Sequence, residues 1–247
     1  MISAVVTAAH QPRSRLLVRQ IGPGREPWPE LARRTYTLVE LYFDAAQWSR
    51  AATDSHADVM VLDTDRGTRR SRIVKELWQR RRELFDGAQT IAMSEDDAEP
   101  CGCTWDDVFA LFEEVAPIER CGIGQPALTR DSFWGHEITR QIRGCRYRVT
   151  DFCENMVPVF TRAAWERHVE SFDMTALGNG LDVVWSEREG RCLVLDSTPF
   201  VHDRPLGGSY DRWAMELDSR ALYRRLGILP DGWRERRTLK RVWTEAA

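Results

Sequence analysis

The sequence feature that most constrains the fold is a short apolar run that ends in a dense group of carboxylates. The run Thr90–Met93 leads into Ser94, and four acidic residues follow within five positions: Glu95, Asp96, Asp97 and Glu99. Carboxylates at this spacing repel one another unless a cation lies among them. The carboxyl end of a strand in an α/β sheet is also where a ligand crevice is expected. The stretch therefore predicts a divalent-metal site, and a solvated acidic loop is the alternative interpretation.

Strand and helix patterns alternate along the N-terminal half of the chain. Strands are predicted near residues 1–10, 16–18, 36–43, 57–62 and 89–94, and an amphipathic helix over 71–85. A further helix over 105–115 would begin at Thr104 as its N-cap. Such a succession indicates a mostly parallel sheet with helices on its faces. In the less regular second half we expect strands at 123–128 and 192–195, and helices at 162–169, 181–187 and 212–226.

Composition is that of an ordinary globular chain. The 247 residues are 43% hydrophobic with a formal net charge of −3, which favours one large α/β domain. No stretch approaches the ~20 apolar residues of a membrane span, and the start is not a convincing signal peptide. The six cysteines form no C-x-x-C pair, so we expect free thiols and a cytoplasmic protein.

Charge is distributed unevenly along the chain. Seven Arg and one Lys lie between residues 66 and 82, and residues 83–119 contain neither Lys nor Arg. The chain becomes basic again between residues 220 and 241. This asymmetry suggests acidic residues for a cation and basic residues for phosphates, although solvated helix faces give the same pattern.

The acidic run and one histidine are the candidate metal ligands. Alternate residues of an extended segment point the same way, so Glu95 and Asp97 can reach one cation while Asp96 faces elsewhere. Oxygen ligands suit Mg²⁺ or Mn²⁺, which borrow further oxygens from substrate phosphates. His202, in a polar loop after the strand predicted at 192–195, would favour Mn²⁺. A loop histidine bonded to backbone is the alternative.

Other polar residues are candidates for substrate contacts and proton transfer. Asp182 follows the two glycines of Gly178–Gly180, which let backbone approach a ligand, and would act as a general base or complement the helix dipole. Asp44 ends a strand and can accept hydrogen bonds from a base or ribose. Arg69 can meet a phosphate, and Glu154 is an acid in an apolar setting that needs a partner.

The motifs that hold several of these residues occur in one order. They are Gly124-Gln125-Pro126-Ala127-Leu128, then the segment from Glu154 to Trp165, then Gly178-Asn179-Gly180-Leu181-Asp182, then Val201-His202. This order resembles a family of uncharacterised domains from plants and bacteria that is related to GT-A-fold glycosyltransferases. The resemblance covers residues 35–210. It implies a Rossmann-like GT-A domain over residues 1–210, with residues 211–247 as a basic helical extension packed on it.

The resemblance also implies a nucleotide-sugar-dependent transferase. Asp97 and then Glu95 look like the metal ligands of a DxD-type motif, His202 would complete the metal shell, and Asp96 would face the ribose or sugar of the donor. The cofactor would be Mn²⁺ or Mg²⁺ and the donor a UDP-sugar. The family usually has Asp where Glu95 stands, which is a conservative change for an oxygen ligand.

On the acceptor side, the resemblance implies that Asp182 takes the proton from the acceptor hydroxyl, as in inverting enzymes, with Glu154 as a second catalytic acid. Asp44, Arg69 and Gly180 would contact the donor. Asn179 replaces the usual Trp of the family, which bears on how the acceptor packs.

The acceptor itself stays open at the level of sequence. Arg-rich segments 66–82 and 234–241 are consistent with a hydroxymethylated base in DNA, and a glycan or small molecule is the alternative. A metal-dependent phosphoesterase or nuclease, and a non-catalytic binding module with the same fold, are the other classes that the residues allow.

Overall fold

A computed structural model describes residues 2, 4–7, 13–22, 34–64, 70–176, 178–205, 211–228 and 235–244. Its strands are β1 (Ala4–Thr7), β2 (Arg15–Ile21), β3 (Thr37–Tyr42), β4 (Val59–Leu62), β5 (Thr90–Ser94), β6 (Ala98–Pro100), β7 (Ile123–Leu128), β8 (Cys145–Thr150), β9 (Val159–Thr161), β10 (Cys192–His202) and β11 (Thr238–Trp243). Its helices are α1 (Ala45–Asp54), α2 (Arg70–Arg80), α3 (Trp105–Glu119), α4 (Arg162–His168), α5 (Leu181–Glu189) and α6 (Arg212–Leu226).

All of these strands belong to one sheet, in the order β1-β4-β3-β2-β5-β9-β7-β10-β8-β11, with β6 paired to β10. Strands β4, β3, β2 and β5 are parallel, as the alternating pattern predicts. Beyond them the sheet is mixed: β9 is antiparallel to both neighbours, and β10 is parallel to β7 but antiparallel to β8. The α/β prediction is confirmed. The second half is less parallel than expected because loops rather than crossover helices connect several of its strands.

Helices cover both faces of the sheet, which explains why most strands are apolar throughout. Alternation along β2 places Leu16 and Val18 on one face and Leu17 on the other. The first face packs against α2, α4 and α5, where a group of aromatic rings fills the core: Trp78, Phe85, Phe160, Trp165, Phe172 and Trp185. The second face packs against α3.

Most predicted helices are present, with shifted ends. Helix α3 begins as expected, because Thr104 and Asp107 form a capping box, and it continues to Glu119. Helix α2 ends at Arg80, before a separate 3₁₀ turn, and α6 has the predicted limits. Within the described residues, no helix combines the length and apolar character needed to cross a membrane.

The two largest differences from the sequence-based expectation concern strands. Strand β10 continues seven residues past the predicted end at Leu195, so His202 is the last residue of a strand and not part of a loop. Residues 238–243, interpreted as part of a basic helical extension, form β11 and pair with β8 at the sheet edge. The Arg237 amide donates to the Asp151 carboxylate, and the Asp151 amide donates to the Arg237 carbonyl. These two hydrogen bonds hold the chain just before β11 in place. Neither strand has a strong apolar alternation at these positions.

A buried ion pair joins β8 and β10 and fixes the loop between β7 and β8. The Arg148 Nε and Nη2 atoms donate to the Asp196 carboxylate at 2.9 and 3.1 Å. Arg148 also donates to the carbonyls of Ile138 at 2.9 Å and Arg140 at 2.7 Å. The Asp196 carboxylate accepts the Ile142 amide at 2.7 Å. Because both charged side chains are buried, each depends on the other for its stability.

Replacing Arg148 with Met should lower the free energy of unfolding by about 3–5 kcal/mol, since it leaves the Asp196 carboxylate buried without its counter-charge. Urea denaturation at pH 7 measures this loss. The double variant Arg148→Met/Asp196→Asn should recover a large part of it, because no buried charge remains. A double variant as unstable as the sum of the two single variants would contradict this account.

Candidate functional site

Strand pairing brings the acidic run beside a histidine that is about one hundred residues away in the sequence. Glu95, Asp96 and Asp97 lie in the turn between β5 and β6. Strand β6 pairs antiparallel with the end of β10, with Ala98 opposite His202. This register places His202 next to Asp97 at the carboxyl end of β5, where a ligand crevice is expected.

Asp97 and His202 are in direct contact. The His202 Nε2 atom is 3.3 Å from Asp97 Oδ2, and its Nδ1 atom is 2.5 Å from the Phe133 carbonyl oxygen. Burial opposes protonation of the imidazole, but the hydrogen bonds to Asp97 and Phe133 raise the pKa of His202. The same contact lowers the pKa of Asp97 despite its burial. The Asp97 Oδ1 atom is buried and has no hydrogen-bond partner among the described residues.

Glu95 lies beside Arg70, a residue that the sequence-based reading missed. The Arg70 Nη2 atom is 3.8 Å from Glu95 Oε1, and Arg70 also donates to the Met156 carbonyl at 2.9 Å. Burial raises the pKa of Glu95, against the effect of the Arg70 charge. The prediction chose Arg69 from the same basic run, and Arg69 lies outside the described residues. Burial at the start of α2 distinguishes Arg70 from its basic neighbours, and no sequence pattern indicates that burial.

Asp96 lies against the end of β2. Its Oδ2 atom accepts a hydrogen bond from Arg204 Nη1 at 2.8 Å. A Cβ atom on Gly22, just after β2, would be only 1.7 Å from Asp96 Oδ2. A side chain at position 22 would therefore displace the Asp96 carboxylate from this close approach between β2 and the acidic turn.

The segment that contains Glu154 is held by residues of the other motifs. The Glu154 amide donates to the side-chain oxygen of Gln125 on β7. The Asn155 side chain donates to the Gly178 carbonyl at 3.0 Å, just before the loop that begins α5. These contacts bring the motifs of Gln125, Glu154 and Gly178 together in the folded chain.

Glu154 is a buried acid in a crowded electrostatic environment. Burial, together with the nearby charges of Asp182 and Glu95, raises the pKa of Glu154 to about 8, against the opposing effect of His202. Its Oε2 atom is buried without a hydrogen-bond partner in the part of the chain that the structure describes. At neutral pH this carboxyl group is therefore mostly protonated.

Asp182 is the second residue of α5, and its Oδ1 atom accepts the Val183 amide at 2.8 Å. Burial raises its pKa, and the charges of His136 and Arg236 act in the opposite direction. Gly180 precedes the helix with φ of 80°, and a Cβ atom there would lie 3.0 Å from the Tyr223 hydroxyl. Gly180 is thus required by the backbone, whatever it contributes to ligand binding.

His136 is a second residue that the sequence did not reveal. It lies in the loop between β7 and β8, and its ring centroid is 4.4 Å from that of Phe152. Burial lowers the pKa of His136, while the Asp182 charge opposes this shift. A single histidine in an irregular polar loop has no local pattern that would distinguish it.

Asp44 has a clear local role. It is the N-cap of α1, and its carboxylate accepts the Gln47 amide at 2.7 Å. The Gln47 side chain in turn donates to the Gly22 carbonyl at 2.7 Å, which links α1 to the end of β2. Asp44 lies at the carboxyl end of β3, separated from β5 by β2 alone.

The structure therefore gathers the acidic run, two further carboxylates and two imidazoles at one edge of the sheet. These carboxylates and imidazoles belong to Glu95, Asp97, Glu154, Asp182, His136 and His202. In the described ranges, no three His, Cys, Asp or Glu side chains converge closely enough to hold a metal ion as they stand.

Two features of the site fit a divalent cation. The buried Asp97 Oδ1 atom lacks a hydrogen-bond partner within the described part of the chain, so it is free to ligate. The Phe133 carbonyl at His202 Nδ1 is the arrangement that orients a metal-binding histidine through its other nitrogen. The weak 3.8 Å contact with Arg70 would have to open for Glu95 to ligate as well.

Comparison with solved structures identifies the fold. The structure of TarS residues 1–349 from S. aureus is similar over 87% of this chain and 71% of TarS 1–349, with 8% identity and a TM-score of 0.50. The same fragment in complex with UDP-GlcNAc gives 9% identity, 87% and 66% coverage, and a TM-score of 0.50. No protein-family model matches the sequence, and no curated protein does. The chain thus has the GT-A fold of glycosyltransferases.

Replacing Glu154 with Gln should stabilise the protein at alkaline pH and change it little near pH 5. The folded-state pKa of about 8 lies above the ordinary value of 4.5, so the wild type loses stability as pH rises between these values. The difference in free energy of unfolding between the variant and the wild type should grow by up to roughly 1.4 kcal/mol per pH unit between these two values. Urea denaturation from pH 5 to 9 measures it.

Glu166→Gln, which makes the same substitution at an exposed carboxylate, provides the control. Parallel stability curves for wild type and Glu154→Gln would show that Glu154 titrates normally.

Proposed function

We propose that the protein is a glycosyltransferase that moves a sugar from a nucleotide-diphosphate sugar to an acceptor hydroxyl, with inversion. The observation that carries the proposal is the gathering of the acidic run, His202, Glu154 and Asp182 at the carboxyl edge of a GT-A-fold sheet. Because the similar TarS fragment was solved with UDP-GlcNAc, a UDP-sugar is the first donor to test.

On the donor side, Asp97, His202 and Glu95 would hold Mn²⁺ or Mg²⁺. A cation bound there would neutralise charge on the diphosphate leaving group. The buried guanidinium of Arg70 adds a fixed positive charge at the same place. Asp96, Asp44, Gly180 and Arg69 stay our proposed contacts for the remainder of the donor.

On the acceptor side, the two buried carboxyl groups would have different roles. Asp182 is the proposed general base, since a raised pKa brings a carboxylate closer to the proton affinity that base catalysis needs. Glu154, with a pKa of about 8, is protonated at neutral pH and would donate a hydrogen bond. Environments that separate the pKa values of neighbouring acids assign such roles in many enzymes.

We also propose that the chain belongs to the GT-A-related family of plant and bacterial domains whose motifs span residues 124–202. For a DNA acceptor, the two basic segments would have to act together. However, segment 66–82 runs away from the site: Arg70 lies at the site, at the carboxyl end of β5, but Arg82 lies beside Glu166 at 3.7 Å, near the amino end. Segment 234–241, of which the structure describes residues 235–241, is therefore the better candidate for acceptor contacts.

A nucleotide-sugar panel in the presence of Mn²⁺ tests the proposal through thermal unfolding. UDP-GlcNAc, UDP-glucose and GDP-mannose are compared with UDP and with Mn²⁺ alone. Binding to the folded state at a hundredfold excess over Kd should raise the Tm by about 5–10 °C for the correct donor. The variant Asp97→Asn should lose most of the Mn²⁺-dependent part of this shift.

Asp86→Asn, which changes an exposed turn residue at the other end of β5, is the matched control and should retain the whole shift. If no nucleotide sugar raises the Tm, with or without Mn²⁺, the glycosyltransferase proposal is wrong. With a donor identified, release of UDP on addition of an acceptor measures the transfer reaction.

A further inference from the structure

A basic cavity of about 650 Å³ lies between the loop that joins β7 and β8 and the segment that leads into β11. Five arginines line it: Arg130, Arg140, Arg148, Arg236 and Arg241. Among the residues that the structure describes, two carboxylates accompany them, those of Glu137 and Glu235. A volume of this size matches pockets for small molecules.

The wall of the cavity is rigid because Arg148 uses its hydrogen bonds inside the protein. It binds Asp196 and the carbonyls of Ile138 and Arg140, so it fixes the loop and is not itself available to a ligand. Arg140 is thereby held over the Trp134 ring, with its guanidinium 5.1 Å from the ring centroid and 3.7 Å from Glu137. The Arg140 Nε atom is buried, and no described residue accepts a hydrogen bond from it.

Positive charges are also brought face to face across two strands. Arg241 on β11 is directly opposite Arg148 on β8. Like charges at opposed positions of an antiparallel pair are destabilising. Asp196 compensates the charge of Arg148, whereas Arg241 is exposed at the cavity. An anion in the cavity would remove the repulsion.

The cavity adjoins the proposed base. His136 and Arg236 both line it, and both are close enough to Asp182 for their charges to act on its carboxyl group. Phe152 connects them, since its ring packs against His136 and lies 4.5 Å from the Arg236 guanidinium. A ligand in the cavity would therefore have one end at His136 and Arg236, which lie on the side toward Asp182, and the other among arginines.

We propose that this cavity is the acceptor subsite and that it takes a small acceptor that bears a phosphate group. The inference rests on the proposed glycosyltransferase function. The guanidinium groups of Arg140 and Arg241 bind the phosphate, because the planar fork of arginine matches phosphate oxygens. A compact acceptor is favoured over a nucleic acid strand because the basic residues line a single cavity and Arg80 to Arg82 lie at the other end of β5.

In the reaction, the acceptor hydroxyl gives its proton to the Asp182 carboxylate while its oxygen forms a bond to the anomeric carbon of the sugar. The bond between that carbon and the diphosphate oxygen breaks, and its electron pair leaves with the nucleoside diphosphate. The acceptor phosphate is unchanged and serves only to hold the hydroxyl in place.

Calorimetric titration of the full chain with inorganic phosphate and with ribose 5-phosphate tests the subsite. Each titration is run with and without UDP and Mn²⁺, so that phosphate binding at the donor site is distinguished from phosphate binding in the cavity. Loss of two charge-assisted contacts in Arg140→Gln/Arg241→Gln should weaken phosphate binding about tenfold or more. Arg80→Gln/Arg82→Gln removes the same charge at the opposite end of β5 and should bind phosphate like the wild type.

Arg241→Gln alone, at an exposed position, provides a second variant in case the double variant unfolds. Equal phosphate affinity in the cavity variants and the control would overturn the proposal. So would binding of a single-stranded oligonucleotide at this site that ribose 5-phosphate fails to displace.

The donor and acceptor results are independent. If the cavity variants lose phosphate binding but keep the increase in Tm with UDP-GlcNAc, both proposals stand. If no nucleotide sugar binds while the arginine-dependent phosphate site is present, the subsite is real and the proposed reaction is wrong.

Discussion

The structure depends on the way in which β10 pairs along its length. Its first half lies between β7 and β8 in the sheet, and its register shifts between Leu195 and Phe200. Its second half then pairs with β6, which is the continuation of the acidic turn. Strand β10 therefore runs from the core of the domain to the site, where it carries His202 and holds the acidic turn through β6. Without this pairing, His202 would have no fixed relation to Asp97.

The fold follows from the sequence where the signal is local. The N-terminal parallel strands, the capping box at Thr104 and the limits of α6 are all set by nearby residues, and each was predictable. Strand β11 was not, because its sequence is polar and its pairing with β8 depends on an open sheet edge formed elsewhere. The length of β10 was missed for the same reason, since its second half is fixed by β6.

The candidate site, too, could be predicted only in part from the sequence. Clustered carboxylates and motif order single out Asp97, Asp182 and His202 without any coordinates, and the structure places them at one edge of the sheet, although their roles stay proposals. Arg70 and His136 have no such pattern. Each becomes apparent only through a tertiary neighbour: Glu95 for Arg70, and Phe152 and Asp182 for His136. Burial then decides the protonation of Glu154, which no sequence pattern could indicate.

The large sequence separation between β11 and the acidic turn has an evolutionary consequence. This strand and the segment before it supply Arg236 and Arg241 to the cavity, whereas the acidic turn and the parallel strands precede residue 100. A substitution or a short insertion in residues 235–244 would alter one wall of the cavity and leave the acidic turn intact. The cavity and the acidic turn can therefore change independently of each other during evolution.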